Sequence, residues 1–436
     1  MKVLKSEKIV GIETFFTPFE GIGGKLRTKP EDFIVSEVSN YPLKSDNGIF
    51  LIADVTSKNW ETNLLVREIS NKLHISRQRI NFAGTKDKRA VATRIMSIHG
   101  LSPDKLSNVK IKDVTIKNIY RSDFPIKIGN LVGNKFEIII RNIKDFVNLD
   151  YIENITNFIE DYQGFSNFYG IQRFGIIRPI THIVGKFIVK DDFKKAVMTY
   201  IGNPIDGEDE ESYKVREKLE NNKDFSDALK SYPNNLNYEK AILNKLVKNP
   251  DDYIGAIKEL PKNLLTLFIY AYQSYLFNRI LSERIKRKIP FNRAIVGDII
   301  LPIRKGIIDN TPIKVSNTNI EKVNFQISKG KAVVSGILFG SDTVFSDGEI
   351  GEIEHKIIDS EKINPRDFII PDIPQISSYG SRHPLISTVD NIDYELSSDE
   401  LDKGKNKLVL KFKLRKGCYA TSLLREFMKA DDIKDY

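Results

Sequence analysis

One carboxylate lies among several cations in the segment INFAGTKDKRAVATR, where Asp87 is flanked by Lys86, Lys88 and Arg89. Neighbouring cations favour the ionised form of a carboxylate, which is the form that acts as a nucleophile or as a general base. The same cations can bind nucleic-acid phosphates beside it. A charged surface turn without a function is the alternative, because runs of charge usually lie in solvent. The residue types alone make Asp87 a candidate catalytic residue and leave that alternative open.

Other residue types that bind metals or form covalent intermediates are scarce. The chain has one cysteine, Cys418, and five histidines, none of them in an HExxH or HxxxH spacing, so no metal site is expected. The loop that contains Asp87 lacks the first glycine of the GxxxxGK pattern that cradles triphosphates. The GIGG run at 21–24 follows no predicted strand, so it does not indicate a dinucleotide site. Catalysis would then use carboxylates, hydroxyls or amines.

The formal net charge of the 436 residues is +9, which permits a polyanionic partner without requiring one. Basic clusters occur at 77–94, 284–293 and 411–416, and the first contains six bases against a single acid. These clusters either converge on one electropositive face or form separate solvated surfaces. Their positions in the sequence do not decide between the two.

Strand patterns precede and follow the Asp87 loop. Residues 32–38 and 49–57 predict strands, residues 61–73 predict a helix with one apolar face, and strands are predicted again after the loop. The first part of the chain therefore predicts an α+β module, a mixed sheet crossed by few helices. In KLVLKFKLRKG, near the end of the chain, apolar and charged residues alternate and predict a half-buried strand, which a short helix follows.

The middle of the chain has a different pattern. From about residue 149 to 287 it is mainly helical, and the strongest helix is predicted at 264–285. The proline-rich segment 363–384 predicts a linker, after which strand patterns return. A sheet module, a helical block and further sheet together indicate that one domain is inserted into another.

Size and composition are those of a folded protein of two or three domains, with 41% hydrophobic residues. The longest window without charge, 263–278, is shorter than a bilayer span and contains polar residues, so no membrane span is expected. The first residues show no export signal, and a cytoplasmic location is expected.

Six segments, in the same order along nearly the whole chain, resemble the TruD family of transfer-RNA pseudouridine synthases: KPEDFIVSE (29–37), AGTKDKRAV (83–91), GNKFEIIIR (133–141), NFYGIQRFG (167–175), AYQSYLFNRILSER (271–284) and GCYATSLLREF (417–427). The resemblance implies a pseudouridine-synthase catalytic domain with a mixed sheet, formed by residues 1–166 and 386–436. A largely helical α/β insertion domain at 167–385 would interrupt it. An insertion of this length is similar to that of archaeal and eukaryotic members.

The resemblance also implies an activity. Uridine in tRNA, at position 13, would be isomerised to pseudouridine without metal, nucleotide or organic cofactor. The expected partner is tRNA, and no protein partner is indicated. Asp87 stands at the position of the family's single essential aspartate, which either attacks the nucleoside or removes the ribose 2′ proton.

Further site residues follow from the same resemblance. Phe136 corresponds to an aromatic platform for the extruded base, with Asn134 beside it, whereas spacing alone favours a core phenylalanine. Lys86, Lys88 and Arg89 are expected to bind the substrate. Two further arginines complete the set of candidates. Arg173 is expected to contact RNA, while the aromatic residues of its motif pack at the domain junction. Arg425 either pairs with the catalytic carboxylate or lies on a helix surface.

Two other functions compete with the enzyme. A noncatalytic RNA-binding protein fits the net charge equally well, but it gains nothing from a carboxylate in the centre of its basic loop. An RNA methyltransferase would need a glycine-rich loop after a strand to hold its adenosyl cofactor, and the sequence has none. The enzyme is therefore favoured.

Overall fold

The computed structural model describes residues 2–127, 129–304 and 306–436. Within them, helices α1 to α14 are, in chain order, Lys5–Ile9, Thr62–Leu73, Pro103–Ser107, Leu149–Asp161, Thr181–Val189, Phe193–Ile201, Glu210–Asn222, Phe225–Ser231, Asn237–Lys248, Tyr253–Ile257, Lys262–Lys286, Ile320–Ser328, Gly348–Glu361 and Ala420–Met428. Strands β1 to β16 are Gly23–Lys25, Phe33–Ser39, Phe50–Lys58, Ile80–Phe82, Val91–His99, Val114–Ser122, Leu131–Ile143, Phe165–Ser166, Ile299–Arg304, Ile307–Ile308, Ile313–Lys314, Ala332–Leu338, Ser381–Pro384, Ile386–Ser387, Val389–Ser398 and Asn406–Arg415.

These elements form two compact units. The helical unit consists of Met1–Phe16 and Ser166–Ile386, and the sheet unit consists of Thr17–Phe165 and Ser387–Tyr436. The chain leaves the sheet unit within the short strand β8 and returns to it within β14. The helical unit therefore includes residues from the start of the chain in addition to the helical block in its middle.

A nine-stranded mixed sheet forms the centre of the sheet unit. Its main order is β15-β16-β7-β2-β5-β3-β6, with β1 paired to β7 and β4 paired to β5. Strand β2 runs parallel to β5 and antiparallel to β7. The predicted α+β fold with a mixed sheet is thereby confirmed.

Buried and exposed side chains alternate along β16 and show which face of the sheet is buried there. Phe412 is buried, whereas Lys411 and Lys413 on either side of it are exposed, because successive side chains of a strand point to opposite faces. The register pairs Phe412 with Phe136 of β7 and Lys413 with Lys135. We call the face that bears Phe136 and Phe412 the core face, and the opposite one, with these lysines, the lysine face.

Helix α2 covers part of the core face. Its first turn is capped by Glu61, whose carboxylate accepts a hydrogen bond from the backbone N–H of Leu64 at 2.8 Å. The helix ends at His74, which has a left-handed φ of 53°. Leu65 and Ile69 are fully buried against residues of β3 and β5. Burial of each such side chain stabilises the fold by roughly 1.5–3 kcal/mol.

Helix α11, which the sequence predicts as the strongest helix, is the central helix of the helical unit. It packs against α5 and α13 and against a small sheet of order β10-β9-β12-β13, with β11 on β9. The core around it also contains Phe368, Ile373 and Ile376, which are buried. The prediction of a linker at 363–384 is therefore wrong, because apolar residues between the prolines pack into this core.

Candidate active site

Asp87 lies in the loop between β4 and β5, and its side chain is 46% exposed. Its Oδ1 lies 3.9 Å from Nη2 of Arg27, whose side chain is 10% exposed. One side of the carboxylate is thus open to a substrate, while the other faces a largely buried cation. Arg27 thus supplies a positive charge next to the carboxylate.

Arg27 is held in place by its backbone and by its ring contact. Its φ of 54° is in the left-handed region, which is uncommon for a residue with a side chain. Its guanidinium carbon lies 4.1 Å above the centre of the Phe33 ring, and its carbonyl accepts a hydrogen bond from Nη2 of Arg89 at 3.0 Å. Burial lowers the pKa of Arg27 and Asp87 opposes that shift, yet an arginine remains charged at neutral pH.

Three aromatic rings continue from Arg27 across the core face. Phe33 meets Phe136 edge to face, with ring centroids 6.1 Å apart. Phe136 stacks on Phe412, with centroids 5.3 Å apart and planes 25° apart. Phe136 is 8% exposed. The structure therefore brings the predicted platform close to the residues that surround Asp87, but it covers most of the ring with other rings.

The cations beside Asp87 lie in different environments. Lys88 and Arg89 are exposed. The side chain of Lys86 is buried, and its Nζ donates a hydrogen bond to Oδ1 of Asn134 at 2.9 Å. The structure thus places Asn134 next to the loop that contains Asp87, and it leaves Lys88 and Arg89 accessible to a phosphate.

Arg425 and Arg173 lie elsewhere. Arg425 is buried in α14, and its Nη1 lies 3.2 Å from Oε1 of Glu426. The ion pair of Asp87 is made with Arg27, which lies outside the six family motifs. Arg173 is in the helical unit, with its guanidinium 5.8 Å from the ring centre of Tyr169.

Arg27 precedes the motif KPEDFIVSE by two residues, and no periodic pattern marks it. Its place close to that motif is the one signal in the sequence, and it does not by itself single out Arg27.

The basic clusters contain fewer free cations than their sequences suggest. Arg94 is fully buried in the sheet unit and donates hydrogen bonds to Thr62 and Ser57. In the helical unit, Arg284 is buried in an ion pair with Asp298 at 2.6 Å. Lys411 and Lys413 lie on the lysine face, opposite to Phe136. The structure therefore does not place Lys411 and Lys413 on one face with the residues around Asp87.

Metal ligands and membrane-spanning helices are both missing from the described part of the chain. No group of three or more His, Cys, Asp and Glu side chains there is arranged so that it could hold a metal ion. Over the same residues, no helix has the length and apolar character needed to cross a membrane.

Comparison with known proteins adds independent information. The family model described as tRNA pseudouridine synthase D (TruD) matches residues 9–427. A protein of Methanococcoides burtonii named "Probable tRNA pseudouridine synthase D" is 40% identical over 432 residues, which cover 98% of each chain. A Methanosarcina barkeri protein of the same name is 40% identical over the full length of both.

A crystal structure gives the same result for the fold. It is described as that of a putative tRNA pseudouridine synthase D (TruD) from Methanosarcina mazei. It superimposes on the whole chain with a TM-score of 0.91 at 39% sequence identity, and the match covers all of both chains.

Proposed function

The chain belongs to the TruD family of tRNA pseudouridine synthases, and from this premise we propose that it isomerises uridine to pseudouridine in tRNA with Asp87 as its catalytic residue. The observation that supports this assignment most directly is the ion pair of Asp87 with Arg27. It combines an accessible carboxylate with a fixed positive charge beside it, an arrangement suited to a group that acts on a nucleoside.

The reaction needs little apparatus. The N1–C1′ bond of uridine breaks, the uracil turns, and C5 forms a new bond to C1′, while the proton of C5 is lost and N1 gains one. Substrate and product are isomers, so no oxidant, reductant or group donor enters the balance. Asp87 either attacks the nucleoside or removes the ribose 2′ proton, and both roles require the ionised carboxylate. Positioning of the uracil supplies the remainder of the catalysis.

Substrate binding is proposed for residues around this carboxylate. Phe136 supports the extruded base by stacking, with Asn134 two residues before it on the same face of β7. Lys88 and Arg89 bind phosphates beside the carboxylate, since both are exposed. Recognition of an A-form RNA depends on its shape and phosphates more than on base edges.

Further proposals concern contacts with the rest of the tRNA, the uridine that is modified and the place where the enzyme works. Arg173 contributes an RNA contact from the helical unit. Arg425 contributes indirectly, through helix α14, in which its side chain is buried. The uridine modified is the one at position 13 of tRNA. The enzyme works in the cytoplasm, without a resident cofactor and without a protein partner.

The test uses purified protein and unmodified tRNA transcripts, with no cofactor added. Pseudouridine is mapped by carbodiimide treatment and primer extension, in a wild-type transcript and in one with cytidine at position 13. We expect one modified site, at position 13, which the second transcript lacks. A modification elsewhere would refute the position, and an unmodified transcript would refute the activity.

The alternative function is that of a noncatalytic RNA-binding protein. It would bind the same transcripts without changing them. The carboxylate of Asp87 argues against it, because a negative charge within the loop repels the phosphates that such a protein must hold.

A further inference from the structure

Lys86, the residue before Asp87, has a charged side chain in the interior of the sheet unit. This side chain is 3% exposed, and its Nζ lies 3.2 Å from Oε2 of Glu37, whose side chain is 1% exposed. The other carboxylate oxygen of Glu37 accepts a hydrogen bond from the hydroxyl of Ser39 at 2.6 Å. Within the described residues, no well-directed hydrogen bond reaches Oε2. The ammonium group therefore provides the compensation for burying that oxygen.

A buried ion pair is seldom the most stable way to fill a protein interior. Both charges lose hydration, and apolar residues of similar volume often stabilise a fold as well or better. Burial lowers the pKa of Lys86, and the attraction of Glu37 opposes that shift. A gain in stability is therefore a weak explanation for why these two charges are buried. The groups that the pair holds in place, the loop of Asp87 and the amide of Asn134, give a better one.

The backbone of Lys86 is fixed as well as its side chain. Its N–H donates a hydrogen bond to Oγ1 of Thr62 at 3.1 Å, and the same oxygen accepts one from Nη1 of Arg94 at 2.9 Å. Thr62 begins α2, and Arg94 belongs to β5. The neighbour of Asp87 is thus attached to α2 by its backbone and to β2 and β7 by its side chain.

Lys86 also determines the orientation of an amide. Its Nζ donates a hydrogen bond to Oδ1 of Asn134. An ammonium group has only donors, so the amide oxygen must face it, and the Nδ2 group of Asn134 must lie on the other side of the amide. Asn134 and Phe136 are two residues apart in β7 and project from the same face. The N–H donors of Asn134 are therefore held on the face that bears Phe136.

We propose that Glu37 and Lys86 are positioning residues, which hold the Asn134 amide so that Nδ2 donates a hydrogen bond to a carbonyl oxygen of the extruded uracil. Uracil has two carbonyl oxygens, and both are acceptors, so a fixed donor beside the aromatic platform orients the base. The same ammonium joins the loop of Asp87 to the strand of Phe136, which fixes the carboxylate relative to the base. The inference rests on the function proposed above.

The experiment exchanges the carboxylate and the amide around Lys86. Glu37 and Asn134 are direct partners in the register of β2 and β7. The double variant Glu37→Gln/Asn134→Asp therefore keeps one carboxylate and one amide beside the ammonium and keeps the net charge, but it moves the amide donor to position 37. Single-turnover rates, tRNA dissociation constants and thermal midpoints are measured for the parent, this variant and Asn134→Ala. Lys135→Met, on the lysine face, is the matched control.

We expect the double variant to unfold near the midpoint of the parent and to bind tRNA equally well, while its rate falls roughly 100-fold, as after loss of one oriented donor. Asn134→Ala should lose a similar factor, and Lys135→Met should keep the parent rate. A double variant with the parent rate would show that Asn134 is only an anchor and would overturn the proposal.

Asn134→Ala decides the question if the double variant does not fold. If Asn134→Ala reacts as fast as the parent protein, the proposal is overturned. A reduced rate with unchanged tRNA affinity would support it. Activity of the parent itself is the separate readout of the proposed function. A parent that forms no pseudouridine would refute that function, whereas an active parent with an equally active double variant would refute the inference alone.

Discussion

Phe136 and Phe412 stack on each other across two adjacent strands, with ring centroids 5.3 Å apart. Phe136 belongs to β7 and Phe412 to β16, and the two residues are direct partners in the register. The stack supports the part of the sheet that carries Asn134. Any base that reaches Phe136 must bind at the small exposed part of its ring or displace a neighbouring side chain.

Asp87→Asn should abolish pseudouridine formation and leave tRNA binding intact. Asparagine keeps the size of the side chain but can neither attack as a carboxylate nor accept a proton at neutral pH. The loss of a negative charge beside Lys88 and Arg89 reduces repulsion of phosphates, so the dissociation constant should stay the same or decrease. Carbodiimide mapping and filter binding measure the two effects. Turnover of the variant near the parent rate would remove Asp87 from the mechanism.

Arg27→Met should lower the rate roughly 100-fold with little change in the thermal midpoint. Methionine can still pack on Phe33, but it removes the positive charge that faces Asp87. Arg27→Lys keeps a charge and loses the planar stacking, so its rate should lie between those of Arg27→Met and the parent. Equal rates for all three proteins would show that the cation has no catalytic effect.

Phe136→Leu separates stacking from packing. Leucine retains most of the apolar volume, so the free energy of unfolding should fall by less than about 1.5 kcal/mol. Loss of base stacking, roughly 1–3 kcal/mol, should reduce turnover more than tRNA affinity, because phosphate contacts supply most of the binding. Urea unfolding and single-turnover kinetics measure the two quantities. If stability falls while turnover does not, Phe136 is a core residue alone.

Lys88→Ala should weaken tRNA binding and reduce its dependence on salt. For each phosphate that the protein no longer neutralises, the slope of log affinity against log salt changes by about 0.7–0.9. Lys413→Ala is the comparison, because Lys413 lies on the lysine face and its removal should leave the slope unchanged. Titrations between low and physiological ionic strength test both variants. The same change of slope in both would mean that tRNA also binds to the lysine face.

The helical unit should lose stability in mild acid because of His182. Its ring lies between Phe174 and Tyr275, and burial lowers its pKa to about 4. An unfolded histidine titrates near pH 6.5, so the unfolded chain binds more protons between these values and stability decreases as the pH falls through this window. The loss across the whole window is about 3 kcal/mol. His182→Gln should make urea unfolding less dependent on pH between 6.5 and 4.

His383 provides an internal comparison for that measurement. Burial lowers its pKa to about 4 as well. His182→Gln should therefore remove only part of the acid sensitivity. An unchanged dependence on pH would show that His182 does not contribute to it.

The sequence predicted local structure well where side-chain periodicity determines it. Alternation in KLVLKFKLRKG identified β16 and its buried face, and helical spacing identified α2 and α11. The proline-rich segment at 363–384 misled the prediction, because proline marks turns and does not show whether the residues between them are buried.

The site was predicted less completely, since its contacts join distant parts of the chain. Asp87 and its exposed neighbours could be selected from charge and motif alone. Arg27 could not, because its approach to Asp87 depends on a left-handed backbone and on a ring in β2. Lys86 and Glu37 carry charges, which normally indicate exposure, and only the paired strands show that both side chains are buried.

Because β16 lies late in the sequence, β7 lacks one of its neighbouring strands while the chain is being synthesised. Strand β7 ends at Ile143, but its neighbour β16 begins only at Asn406, so the ribosome must add about 260 further residues before the two can pair. Until then, most of β7 is an unpaired strand edge that could join another chain and aggregate. Lys135 and Glu137 place charges along that edge, which opposes such association. Chains that stop before β16 should therefore be both inactive and prone to degradation in the cell.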